Sequence, residues 1–257
     1  MVNYFKHFSN TMVAAVKNFI KRIFPYNIWH FLISNYQSYK FLLFGDYSAR
    51  GNIDLNLVNI LKKKRKGFFL EIGAYNGIYE SISLRFEKEL NWTGLLIEPN
   101  PLHFKYLKKN RPKNICLNLI CLSKEFLNKK LFIKNLNLMS HLVDDKNRLY
   151  FKDYPISRIN NMAKEAKLGN FKNYECKVEI LENIFKKHNI TSIDLAIIDV
   201  EGSELELLKG INFEKVKIDY FCIETYNFDK LNQFMKKKNY TFLEKLHRED
   251  YVFKRIS

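Results

Sequence analysis

Phe68-Phe69-Leu70-Glu71-Ile72-Gly73-Ala74-Tyr75-Asn76-Gly77 is an apolar run that breaks into two glycines four residues apart. Such a run predicts a buried strand, and the first glycine lets the chain turn sharply at its exit. The second lets a helix start close to a ligand. The spacing is not the G-x-G-x-x-G of nicotinamide enzymes. Two further stretches have the same grammar. Gly94-Leu95-Leu96-Ile97-Glu98 is a second apolar strand, ending in Pro99-Asn100-Pro101. Glu98 follows the glycine turn by about 20 residues, the spacing at which an acid on the neighbouring strand tip accepts ribose hydroxyls. Ile193 to Val200 is a third, and it releases Asp199 and Glu201 into Gly202-Ser203-Glu204. Ligands of open α/β sheets bind at the carboxyl ends of strands, where these acids emerge. Glu204 reads as an acid favouring the start of a helix.

Working outward, apolar strand-like runs alternate with helical patterns from residue 55 onward. Strands are predicted at 67–72, 94–98, 115–122, 193–200 and 218–224, and helices at 54–62, 78–90, 102–109, 179–188, 203–209 and 229–238. A closing pair, 240–246 and 251–254, reads as antiparallel. This alternation predicts an α/β fold, a doubly wound, mostly parallel sheet covered on both faces. Residues 1–50 read as a helical or irregular appendage, and 51–257 as the main domain. Between 123 and 178 the alternation fails in a polar stretch, which we read as a structureless, substrate-facing insertion.

The chain has 257 residues, with 43 Lys and Arg against 27 Asp and Glu, a formal charge of +16. Its 47% hydrophobic content excludes global disorder. The charge admits anionic partners: nucleic acid, a phosphorylated sugar donor or an anionic membrane surface. The N-terminus carries Lys6, Lys17, Lys21 and Arg22 and lacks the pattern of a secretory signal. Residues 23–39 are too polar and short to span a bilayer. Their aromatics leave open an interfacial segment, a helical cap or a dimer contact. Cys116, Cys121, Cys176 and Cys222 show no metal spacing and read as reduced thiols of a cytoplasmic protein.

"FFLEIGAYNG", "WTGLLIEPNPLHFKYLKKNR" and "IDLAIIDVEGSELELLKGI" together resemble the S-adenosylmethionine-dependent methyltransferases of the FkbM type, in the family's motif order. The resemblance implies a Rossmann-like seven-strand sheet and methyl transfer to hydroxyl oxygens of sugars, polysaccharides or natural products. It implies that Glu71, Gly73, Ala74, Asn76 and Gly77 surround the methionine part of the cofactor. Glu98 would then bind the ribose, with Pro99 and Asn100 beside it near the adenine. Ser81 matches a serine that follows the glycine loop in relatives. Ser123 lies where the family's third strand ends in Ser-Asp, but Lys124 replaces the acid. Asp199 and Glu201 complete the cofactor set.

For the chemistry, an acceptor hydroxyl must be aligned with the methyl and lose its proton. Asp199 is the first candidate base, with Glu224 from the next strand beside it. The same two carboxylates could hold one Mg2+. His141, in the insertion beside Met139-Ser140, is the rival base. The expected acceptor is a carbohydrate or glycoconjugate hydroxyl, met in the cytoplasm or at the inner membrane face. An RNA-directed methyltransferase and a non-catalytic interaction protein on this fold stay open. Nucleic acid is disfavoured because no RNA-binding module is legible.

Overall fold

The computed structural model describes residues 49–134, 140–144, 146 and 173–256. All but the end of the N-terminal appendage, and much of the insertion, therefore lie outside the described residues. Helix α1 (Ile53–Ile60) leads into β1 (Phe68–Ile72), α2 (Ser83–Leu90), β2 (Thr93–Ile97), α3 (Pro101–Asn110) and β3 (Ile115–Leu117). After the insertion come α4 (Leu181–Lys187), β9 (Ser192–Ile198), α5 (Glu204–Leu208), β10 (Lys217–Glu224), α6 (Phe228–Lys237), β11 (Tyr240–His247) and β12 (Asp250–Arg255). The insertion region contributes β4 (Ile120–Cys121), β5 (Leu131–Lys134), β6 (His141–Val143), β7 (Asn173–Cys176) and β8 (Val178–Glu179).

Seven strands form one sheet in the order β11-β12-β10-β9-β1-β2-β3. All neighbours are parallel except β12, which runs antiparallel to both β10 and β11. The expected antiparallel closing strand is thus β12, inserted between β10 and the edge strand β11. Period-two alternation sorts the apolar residues to two faces. Leu70, Ile72 and Ile198 pack with residues of α4, α5 and α6, such as Leu181, Leu207 and Leu231. Phe69, Leu96 and Leu195 pack with residues of α1, α2 and α3, such as Leu57, Phe86 and Leu107. Strands buried on both sides explain the near-continuous apolar runs.

Two expectations need correction. Residues 78–82 are not helical, and α2 begins only at Ser83. Asn76 Oδ1 accepts the amides of Ile78 and Tyr79, and the Glu71 carboxylate accepts those of Ile82 and Ser83. Amides that would be free at a helix start are taken by these acceptors, so the segment wraps around Glu71 instead of coiling. The stretch 123–178 is also not structureless. Strands β5, β6 and β7 form an antiparallel sheet in the order β6-β5-β7, and β4 leaves the main sheet to pair with β8. Leu131, Ile133, Leu142, Ile120, Leu122, Phe126 and Val178 give this region a separate small core. The predicted strand 115–122 accordingly divides between β3 and β4.

Candidate active site at the carboxyl ends of the strands

The register levels three strand exits. Ile72 of β1 pairs with Ile97 of β2 and with Ile198 of β9. Gly73, Glu98 and Asp199 therefore leave the sheet side by side. Ile198 also pairs with Ile223 of β10, which sets Glu224 next to Asp199. These exits open on a cavity of ≈ 610 Å3, within the range of small-molecule sites.

Gly73 is where the backbones come closest. Its φ is +88°, and a Cβ placed there would lie 2.0 Å from the Asp199 carbonyl oxygen. Any side chain would wedge β1 from β9, so glycine is required sterically as well as conformationally. Gly77, also left-handed at φ +75°, meets Leu107 and Arg111 rather than open space, with a Cβ 2.6–2.7 Å from their side chains. Its smallness serves the packing of the loop on α3, not the approach of a ligand.

Glu98 is buried, and its carboxylate is held by two backbone amides. Tyr75 N–H donates to Oε2 at 2.9 Å and Asn100 N–H to Oε1 at 2.8 Å. His103 Nδ1 stands 3.8 Å from Oε1, and the His103 ring leans on Tyr75 at 4.1 Å between centroids. A carboxylate has about four acceptor positions, so two amides leave room for a diol. His103 is itself buried.

Glu71 is placed differently from the expectation of direct cofactor contact. It lines the cavity, but Ser81 Oγ (3.0 Å), Ser83 Oγ (2.5 Å) and the Ile82 amide (2.9 Å) all donate to it. Its acceptor positions go to the protein, so it holds the loop that shapes the cavity. Asn76, Gly77, Asn100 and Ser123, by contrast, sit behind the lining. Asn76 turns the loop, Asn100 Oδ1 caps α3 by accepting from Leu102 N–H (3.0 Å), and Ser123 Oγ donates to Glu206 (3.0 Å). Gly73, Ala74, Ser81, Glu98, Pro99 and Glu201 line the cavity, as do Asp199, Glu224 and His141.

Four carboxylates share the far end. Glu224 pairs in register with Asp250 of β12, so Asp199, Glu201, Glu224 and Asp250 stand together. Burial, then Glu224, Glu201 and Asp250, push the Asp199 carboxyl well above its ordinary range, and Arg50 opposes this. Burial and Glu224 raise Asp250 to about 7. Burial works against the charge of Arg50, but Glu80, Glu224, Asp199 and Asp250 outweigh it and keep the guanidinium firmly protonated. Its backbone amide donates to Glu80 at 2.9 Å. Tyr79, also on the wall, is raised to about 12 by burial and Glu80. His141 is not a solvated loop histidine: it lies in β6, buried.

Among the described residues no three His, Cys, Asp or Glu side chains are arranged to hold a metal ion. Asp199 and Glu224 alone are an incomplete donor set, with Arg50 already the cation of the cluster, so Mg2+ is not supported. The cysteines form no disulfide. Cys121 and Cys222 are buried, while Cys116 and Cys176 are partly exposed. Burial raises Cys176 to about 11, and its thiol donates to the Pro99 carbonyl at 3.4 Å, tying β7 to the exit of β2.

A family model, the methyltransferase FkbM domain, matches residues 71–242. This chain belongs to the FkbM methyltransferase family. The match begins inside β1 and ends inside β11, and it takes in the main-sheet strands between them together with the insertion. No curated protein sequence matches the chain. Among solved structures, the TehB-like SAM-dependent methyltransferase of Corynebacterium glutamicum is 12% identical, with 87% of this chain and 97% of that chain covered and a TM-score of 0.44. TrmK of M. capricolum, in complex with S-adenosyl-homocysteine, is 12% identical, with 77% of this chain and 66% of that chain covered and a TM-score of 0.39. The FkbM chain thus spans about two thirds of the length of TrmK. At such scores the likenesses carry nothing about substrate. Among the described residues of the FkbM chain, no helix is long and apolar enough to cross a membrane.

Sequence reasoning missed Arg50, Glu80, Ser83, Arg111 and Asp250. Asp250 could have been found from the antiparallel pairing of the closing strand with Glu224. The others act on partners remote in the chain, Arg50 on Asp199 and Arg111 on Glu87 among them, and carry no local signature.

Proposed function

We propose that this protein is an S-adenosylmethionine-dependent O-methyltransferase acting on a hydroxyl of a carbohydrate or glycoconjugate. The observation that carries the reading is the convergence of Gly73, Glu98 and Asp199 on one cavity in a chain of this family. When bound, S-adenosylmethionine supplies a methyl group already activated on a sulfonium. Glu98 accepts the ribose hydroxyls, with its carboxylate kept in place by the Tyr75 and Asn100 amides. Gly73 lets the exit of β1 pack directly on the Asp199 backbone, which keeps the strand ends level under the cofactor's methionine portion. Asp199 holds the acceptor hydroxyl and takes its proton, and Glu224 orients that hydroxyl. A carboxylate with a raised pKa is a stronger base once ionised, which suits this role. His141 faces the same cavity from β6 and is the alternative base.

The fit to a hydroxyl acceptor rests on the cluster. Its acids outnumber Arg50 and Arg248 on the wall, an environment that favours a neutral acceptor over an anionic phosphate. The insertion, through β5 and β6, supplies the acceptor side of the cavity with Ile133, Ser140, His141 and Leu142. Encounter with the acceptor in the cytoplasm or at an anionic membrane face, through the basic N-terminal segment, belongs to the same proposal.

The test is transfer of a labelled methyl group from S-adenosylmethionine to a panel of polysaccharides, free sugars, lipid-linked sugars and RNA. Label in a sugar fraction that disappears in Asp199→Asn is the expected result. Label in RNA alone would replace the carbohydrate reading with the RNA-directed one.

A further inference from the structure

Arg111 has no solvent exposure, although it carries a permanent charge. A buried guanidinium is tolerated only when paired and hydrogen-bonded throughout. Here its Nε lies 2.5 Å from Glu87 Oε2, and Nη1 donates to the Gly77 carbonyl at 3.0 Å and to Ser81 Oγ at 3.1 Å. Nη2 donates to Ser83 Oγ at 3.0 Å, and the guanidinium lies 5.4 Å from the Phe69 ring centroid. Both serine hydroxyls pass the interaction on by donating to Glu71. Glu87, buried as well, also accepts from Asn114 Nδ2 at 2.6 Å.

The arrangement links three elements. Arg111 is the C-cap of α3, Glu87 belongs to α2, and Glu71 belongs to β1. The segment between them, Gly77 to Ile82, has no regular structure of its own and contributes Tyr79, Glu80, Ser81 and Ile82 to the cavity wall. A planar fork with five donors can grip a carbonyl, two hydroxyls and a carboxylate at fixed angles, which a lysine cannot. We propose that Arg111 is a positioning residue for cofactor binding: acting with Glu71, it fixes the 77–83 wall of the cavity from behind without touching the ligand. The inference rests on the cofactor reading above.

The experiment measures S-adenosylhomocysteine affinity by calorimetry on the full chain, for wild type, Arg111→Lys, Glu71→Gln and the double variant. Met235→Ala, which empties buried space on α6 across the sheet, serves as the stability control. Arg111→Lys is expected to raise Kd about tenfold or more, and the same change in the Glu71→Gln background less than about threefold, because the two act as a unit. Met235→Ala should lower the melting temperature while leaving Kd within about twofold. Should Arg111→Lys not fold, Glu87→Gln, which keeps the fork but loosens its anchor, is measured in its place. Unchanged Kd in these variants, or strictly additive effects of Arg111 and Glu71, overturns the proposal. Absence of binding in wild type overturns the cofactor reading and takes this inference with it, a result distinct from the former.

Discussion

At the scale of single residues, the site is governed by close approach and by charge. Gly73 sits where a methyl group would collide with the Asp199 carbonyl, and its φ is one that side chains resist. Gly73→Ala is therefore expected to destabilise the domain by about 1–3 kcal/mol and to abolish detectable S-adenosylhomocysteine binding, as denaturant melts and calorimetry would show. Asp250 gives a second test. Its folded pKa is raised to about 7, above the ordinary carboxylate value of 3.8. A raised carboxyl is stabilising while protonated, so its contribution is full below about pH 4 and is lost as pH rises toward 7 and beyond. Asp250→Asn should thus stabilise the protein more at pH 8 than at pH 5, with roughly 2–4 °C in Tm for each kcal/mol relieved. Removing that charge also eases ionisation of Asp199, so the rising limb of the methyl-transfer pH profile should move to lower pH. A limb that stays in place would exclude Asp199 as the base.

At the scale of elements, the sheet and its exits were legible because each strand carries its own signal: Leu70, Ile72, Leu95 and Ile97 are apolar and end in glycine or proline. The start of α2 was not, because residues 78–82 have a helical pattern while the acceptor that diverts them, Glu71, belongs to another element. The insertion's sheet was hidden for a similar reason. The half-buried alternation of Leu131 and Ile133 is short, and its partner on one side, Asn173–Cys176, lies some forty residues away in the chain. The small core of that region is separate from the two faces of the main sheet. Leu131→Ala is expected to cost about 2–3 kcal/mol locally, and to reduce methyl transfer more than tenfold while leaving S-adenosylhomocysteine affinity within about threefold. Equal losses in both would mean that the insertion supports the cofactor rather than the acceptor. Glu87 supplies the opposite pH dependence to Asp250. Burial would raise it, but Arg111 outweighs burial and holds it low. Its contribution is present above about pH 4.5 and is lost as pH falls further, so Glu87→Gln should flatten the acid limb of the stability curve.

At the scale of the whole molecule, the described cavity wall does not share the basic balance of the chain. The chain carries +16, yet acids prevail on the cavity wall. A net positive charge of that size favours encounter with anionic partners and solubility, while the acids of the wall set the local chemistry. Family membership, seven-strand order and level strand exits agree on one ligand class, and the central claim is that this cavity holds S-adenosylmethionine through Glu98. The most direct measurement is calorimetric titration of the full chain with S-adenosylhomocysteine, on wild type and Glu98→Ala. Wild type is expected to bind at one site per chain, and the variant at least a hundredfold more weakly, about 2.7 kcal/mol. Binding that Glu98→Ala leaves intact would contradict the assignment of the ribose acid, and no heat in wild type at millimolar ligand would contradict the cofactor itself.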